Sequence, residues 1–241
     1  MKKTSKSLSA FLLGACVAGP SAGQQQGSPT EIAFLQMSQI CGDPTGAPDA
    51  WRDKAESVGW TPVRPDQFEE LADYRTQARL VGLYLAGHPG TFPTPITFQV
   101  TKEVFVEELK TEQAQIETFA RQSAVLRPRF YKFDDDVNFT VSFSYNEVTP
   151  GSGVPQSKQE CIINYVGPNL TNIDEQSRLA SPDISTTHGI YELDAFGGNN
   201  PANGVVTVSR TKPIDAEKAK DRFGTDLPIY FYSVVYQRNS N

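Results

Sequence analysis

Cysteine, histidine and methionine are scarce in this chain of 241 residues, at three, two and two. Two histidines are too few for a zinc site of His/Cys type to be expected, and three cysteines in a chain this long exclude a disulfide-packed mini-protein. Positive charge is in deficit as well: 22 Lys+Arg stand against 28 Asp+Glu, a net charge of −6. That balance argues against a general binder of nucleic acid or of an anionic membrane surface. Apolar runs are short, and none approaches the roughly 20 residues that a membrane-spanning helix takes. What is present, 38% hydrophobic and 10% aromatic residues, is the composition of a chain that buries a core, and it excludes a disordered or collagen-like protein.

The longest apolar run near the N-terminus, Leu8–Ala18, follows the positive stretch carrying Lys2, Lys3 and Lys6. This pattern reads as an export signal over residues 1–23, with the polar stretch 24–29 as a linker. Leu13-Gly14-Ala15-Cys16 also resembles the lipobox of bacterial lipoproteins, in which Cys16 is the lipidation candidate and residues 1–15 are removed. Ordinary cleavage after Ala22 or Gly23 is the competing route. Loss of residues 1–23 removes three lysines and no acid, taking the net charge from −6 to −9. The expected location is the periplasm or cell envelope, with secretion as the alternative and a lipid anchor as the only membrane contact. About 218 residues then remain, enough for one large domain or two small ones.

Either route leaves two cysteines, Cys41 and Cys161, in an oxidising compartment. Both fall where apolar neighbours predict burial: Cys41 ends a helix carrying Ile32, Leu35 and Ile40, and Cys161 shares a strand face with Ile163 and Tyr165. A disulfide between them is expected, with two separate buried thiols as the alternative.

Pro29-Thr30-Glu31 opens the first predicted helix. A second fits Pro48–Val58, with Trp51, Ala55 and Val58 on one face, Gly59 as its stop, and Trp60 packing back over the helix pair. Pro65-Asp66 starts a third through Phe68, Leu71, Ala72 and Ala78, and the pattern leaves open whether residues 80–86 continue it. Ile96, Phe98 and Val100 alternate with polar residues as a strand does, and residues 102–126 read as the longest helix, with Phe105, Leu109, Ile116 and Phe119 on one face. The period then changes from 3.6 to 2: Val137, Phe139, Val141, Phe143 and Tyr145 alternate with Asn138, Thr140, Ser142 and Ser144. This predicts an antiparallel strand with one buried and one solvated face. Further strands are expected at 161–166, 205–209 and 229–236, with Asp215 capping a short helix between the last two. Helices first and strands later predict an α+β domain over residues 30–241, an antiparallel sheet of four to six strands packed on one side by N-terminal and central helices. The Ser/Asn/Asp-rich stretch 167–187 is the one candidate boundary.

Few constellations carry chemistry. Asp134-Asp135-Asp136 with Asn138 offers oxygen ligands without the loop spacing of an EF-hand, and reads as a solvated turn. Ser185, His188 and Asp194 hold the residue types of a hydrolytic triad, but no Gly-x-Ser-x-Gly elbow occurs, and His188 and His88 read as loop residues. The run from Gly197 to Gly204 lacks the Lys-Ser/Thr of a phosphate loop and leads into a strand, so it reads as a hairpin loop. No cofactor or metal is expected. Tyr230, Tyr232 and Tyr236 recur at even spacing on the last strand, either as a face that binds a sugar or a protein or as core beneath the helices.

Cys41, the proline-bearing break after it, the helix ending at Gly59-Trp60 and the strand cysteine Cys161 together resemble a group of small exported bacterial α+β proteins of unknown function. The resemblance covers residues 30–62 and 158–166. It implies an α+β fold with a disulfide from the early helix to the sheet, and no activity. The functional expectation is a non-enzymatic envelope module that binds an envelope protein or glycan. A hydrolase working through paired carboxylates, which leave no local signature, is the alternative.

Overall fold

The computed structural model describes residues 27–43, 48–85, 95–119, 127–134, 136–148, 156–188, 190–200, 204–215, 217, 218, 221 and 230–240. Helix α1 (Pro29–Gly42) starts where local chemistry dictates. Ser28 Oγ accepts from the Glu31 amide at 3.2 Å and Glu31 Oε2 accepts from the Ser28 amide at 2.9 Å, a reciprocal cap with Pro29 at the first helical position. Helix α2 (Pro48–Ser57) closes at Gly59, whose φ of +96° a residue with a Cβ rarely adopts. Trp60 opens the short strand β1 (Trp60–Pro62) and is buried.

A 3-10 turn at Pro65–Gln67 leads into α3 (Phe68–Leu85), which continues through residues 80–85. Helix α4 (Pro95–Phe119) begins earlier than the sequence pattern implied. Residues 96–100 are helical, not a strand: Phe98, Phe105 and Leu109 turn inward, whereas Ile96, Val100 and Val104 form an exposed row four residues apart. Three alternating apolar residues satisfied a period of 2 only because both helix faces are apolar there.

The remaining elements are β2 (Phe130–Phe133), β3 (Asp136–Val148), β4 (Gln156–Gly167), α5 (Thr171–Gln176), β5 (Ile184–His188), β6 (Tyr191–Asn200), β7 (Gly204–Pro213) and β8 (Tyr230–Ser240). All strands form one antiparallel sheet in the order β1-β2-β3-β4-β8-β7-β6-β5. Two four-strand meanders thus meet at β4–β8, whose register runs from Ser157–Ser240 to Gly167–Tyr230. The stretch 167–187, with α5 in it, carries the chain from the centre of the sheet to its far edge, and the strands on either side of it belong to the same sheet. The fold is α+β as expected, but the sheet has eight strands where four to six were expected. The strands not expected are β1, β2, β5 and β6: β1 is three residues long and β2 four, β6 runs on through Gly197–Asn200 where a hairpin loop was expected, and β5 is a polar edge strand, Ile-Ser-Thr-Thr-His, that places His188 in a strand and not a loop.

Helices cover both faces of the sheet, which corrects the one-sided packing expected. Helices α1, α2 and α5 cover the face of Phe139, Val141, Phe143, Ile163 and Tyr232, and α3 and α4 cover that of Phe130, Leu193 and Phe231. On the first face the rings interlock: Phe34 stacks on Phe139 at 5.8 Å, Trp60 meets Phe139 edge-on at 4.8 Å, and Trp51 lies 6.2 Å from Phe143. Such pairs contribute about 0.5–1.5 kcal/mol each beyond area burial. The Cys41–Cys161 disulfide joins the end of α1 to the middle of β4, with Cα atoms 5.8 Å apart and both residues buried. It closes 120 residues of chain, for which loop-closure entropy gives about 5 kcal/mol as an upper guide.

Candidate functional site

The alternation that builds the aromatic face sends the other residues of each strand to the opposite face. In register, Lys132 pairs with Thr140, Thr140 with Asn164, Asn164 with Ser233 and Ser233 with Ser209. One polar rung therefore crosses five adjacent strands. The sequence pattern assigns such residues to solvent, yet Lys132 is 1% exposed and Thr140 2%, because α3 and α4 lie over them. Lys132 Nζ is satisfied by donating to the Asp134 carbonyl at 2.9 Å.

Between this rung and the two helices lies a cavity of about 550 Å³, within the range of about 300–1,000 Å³ typical of small-molecule sites. Asn164, Ser233 and Ser209 contribute its polar floor, and Val166, Phe231 and Leu193 an apolar strip beside it. Its roof is α3, through Arg75, Thr76, Ala78, Arg79, Val81 and Gly82, with Thr101 and Phe105 from α4. Thr76 Oγ1 and Asn164 Nδ2 are buried without a hydrogen-bond partner among the described residues. Buried polar groups are seldom left so, since an unmade hydrogen bond costs about 1–3 kcal/mol.

Arg75 is the dominant charge. Its guanidinium lies over the Phe130 ring at 5.1 Å, and Arg129 stacks on the same ring at 5.2 Å. Arg129 is paired with Glu112 at 3.1 Å, whereas no carboxylate among the described residues pairs with Arg75. Burial first, and then the Arg129 charge, pull Arg75 down from the ordinary arginine value to about 10. Among the described residues two arginines and no acidic residue line the cavity, in a chain whose net charge is −6. The sequence signal for this site is thin. Arg75 and Arg79 four residues apart look like any solvated helix face, and the polar strand residues look like a wet one.

The tyrosines fall elsewhere. Tyr232 is 1% exposed, packs edge-on against Phe34 at 6.4 Å, and its hydroxyl accepts from the Leu170 amide at 3.0 Å and donates to Asn169. Burial holds its pKa well above the usual tyrosine value. Tyr232 is therefore core, the second of the two roles considered for it. Tyr230 stacks on Tyr232 at 6.5 Å and Tyr236 borders Gly42 of α1, both half-buried at the margins of the aromatic cluster.

Ser185 and Asp194 face each other across β5 and β6, with Ser185 Oγ donating to Asp194 Oδ1 at 2.8 Å. The backbone of His188 pairs with Tyr191 three positions along β5. Asp194 is also held by Arg210, which bridges it to Asp174 of α5. Burial pushes Asp174 above the usual carboxylate range despite Arg210. At Asp194 burial is outweighed by hydrogen bonds from Arg210 and Ser185, and its pKa lies below that range. This bridge pins α5 to the sheet on the aromatic side, away from the cavity. The turn of Asp134 and Asp136 is occupied locally: Asp134 adopts φ 59° and the Asn138 amide donates to Asp136 Oδ1 at 3.0 Å. His88, Asp135 and Cys16 lie outside the described residues, as does most of the stretch 216–229. Among the described residues no helix is long and apolar enough to cross a membrane.

Compared with protein-family models, with curated proteins and with solved structures, the chain matches none of them.

Proposed function

We propose that this is a non-enzymatic binding module of the cell envelope whose ligand occupies the cavity between α3, α4 and the sheet. The observation that carries the reading is the cavity's lining: a stacked arginine with no carboxylate partner among the described residues, and Thr76 and Asn164, each with a buried unpartnered polar atom, bordering one space. A few placed polar groups in a largely apolar recess are the usual makeup of a small-molecule site. The envelope location is supported by Lys2, Lys3 and the Leu8–Ala18 run, and the disulfide is compatible with a periplasmic or extracellular address. The binding surface expected on the tyrosine face thus moves to the opposite side of the sheet. The carboxylate-hydrolase alternative finds little support, since Asp174 and Asp194 are tied together by Arg210 and neither lines the cavity under α3 and α4.

Native mass spectrometry of the protein isolated from envelope extract tests this. The expected result is a non-covalent small-molecule adduct that is lost in Gly82→Phe, which sets a ring at the cavity's edge, where Gly82 is exposed. A Cβ at Gly82 meets no atom within 4 Å, so the substitution does not disturb its surroundings at that point. Bare protein from every extract, or an adduct indifferent to Gly82→Phe, would contradict the reading. The same spectra report the processed N-terminus: Cys16 carrying lipid supports the anchor, and a start at Gly23 or Gln24 removes it.

A further inference from the structure

The charge of the cavity is opposite to that of the chain. Among the described residues its lining holds Arg75 and Arg79 and no acid, and Arg75, turned onto Phe130, has no carboxylate such as neighbouring Arg129 has in Glu112. A guanidinium in a sheltered site is a fork for a planar or tetrahedral oxyanion, which it binds through two parallel N–H bonds. Thr76 and Asn164 border the same cavity, and their Oγ1 and Nδ2 are buried and without a partner among the described residues. Beside the polar floor of Asn164, Ser209 and Ser233 the recess has an apolar strip, with Val81 of α3 in one cluster with Leu193 and Phe231 of the sheet. A cation would meet like charge. Arg79, exposed, adds positive potential at the same recess, which draws anions in.

We infer that the cavity takes an amphipathic organic anion, its oxyanion head on Arg75 and its apolar body between Val81 of α3 and Phe231 of β8. The inference rests on the cavity being the binding site and adds the chemical class of the ligand. Carboxylate and phosphate heads share this chemistry, so the two are separate arms of the test.

The experiment is calorimetric titration of the intact, disulfide-bonded protein with decanoate, decyl phosphate, decanol and decylamine. The wild type, Arg75→Gln, Arg75→Lys and Gly82→Phe are compared, with a thermal melt of each to establish folding. The expected result is binding of at least one anion, no binding of decylamine, and a loss of about tenfold to a hundredfold in anion affinity for Arg75→Gln. Arg75→Lys should regain part of that loss, and decanol affinity should not change between wild type and Arg75→Gln. Tighter binding of decanoate assigns a fatty-acid-type ligand, and tighter binding of decyl phosphate a phosphorylated one. If decanoate, decyl phosphate and decanol bind alike and Arg75→Gln changes none of them, while Gly82→Phe abolishes all, the anion inference is overturned and the cavity stands as the binding site. If no probe binds, or binding ignores Gly82→Phe, both fall.

Discussion

The two faces of the sheet are made by the same strands and behave oppositely. Beneath α1, α2 and α5 the side chains are mostly aromatic and aliphatic, a disulfide crosses the layer, the Tyr232 hydroxyl has both a donor and an acceptor, and the unpartnered atoms include the indole nitrogens of Trp51 and Trp60, set in close-packed rings. Beneath α3 and α4 the register presents Thr140, Asn164, Ser233 and Ser209, the layers leave a cavity, and polar atoms stand without partners. The first face is what holds the fold; the second is where the sheet forgoes packing. A strand that alternates apolar and polar residues thus need not have a wet face. When helices cover both sides, the polar half becomes the lining of a site.

The comparison can be broken at its strongest point first. Replacing both Cys41 and Cys161 with Ala should cost up to about 5 kcal/mol in a chemical melt, since the bridge is the only covalent tie between α1 and β4. A loss below about 1 kcal/mol would mean that the aromatic layer holds without it.

Next, Tyr232→Ala and Phe231→Ala probe adjacent residues of one strand on opposite faces. The first should cost about 3–5 kcal/mol. The second, bordering the cavity and half-buried, should cost about 1–2 kcal/mol. Equal costs would show the cavity side to be as tightly packed as the core.

A smaller effect sits at the entry to α1. Burial raises the pKa of Glu31, but hydrogen bonds from Ser28 and from the Asn172 amide and side chain outweigh it, so its folded value lies below 4.5. A carboxylate depressed in the folded state contributes stability that is full above its unfolded value and is lost as pH falls through its folded one. Glu31→Ala should therefore cost about 1 kcal/mol at neutral pH, and the gap to wild type should close as pH falls below about 4. A gap independent of pH would remove Glu31 from the account. Asp174 works in the opposite sense, because its raised value favours the folded state as pH falls through it.

The smallest effect has the opposite sign. Gly82 lies in α3 with open space where its Cβ would be, so Gly82→Ala should raise stability by about 0.5–1 kcal/mol. A destabilisation would show that the recess beside Gly82 is filled.

What could be read from sequence was local. The Ser28–Glu31 cap, the Gly59 stop and the strict alternation from Val137 to Tyr145 each act within a few residues, and the expected disulfide follows from two cysteines with apolar neighbours, one at a helix end and one on a strand face. The eight-strand count was not legible, because β1 and β5 are too short or too polar to show a period. Nor was the helical start of α4 at Pro95, where Ile96 and Val100 stay exposed. The cavity was hidden for a different reason. Arg75, Asn164 and Ser233 lie 89 and 69 residues apart in sequence, and only the β4–β8 register and the placement of α3 bring them together.

A crystal structure of the protein grown with decanoate tests the division between the two faces most directly. The account predicts the ligand between α3 and β8, its carboxylate within hydrogen-bond distance of Arg75 and its chain along Val81 and Phe231, with the layer of Phe34, Phe139 and Tyr232 unchanged. A ligand seated among the tyrosines under α1, or α3 collapsed onto Ser233 with no room for one, would contradict it.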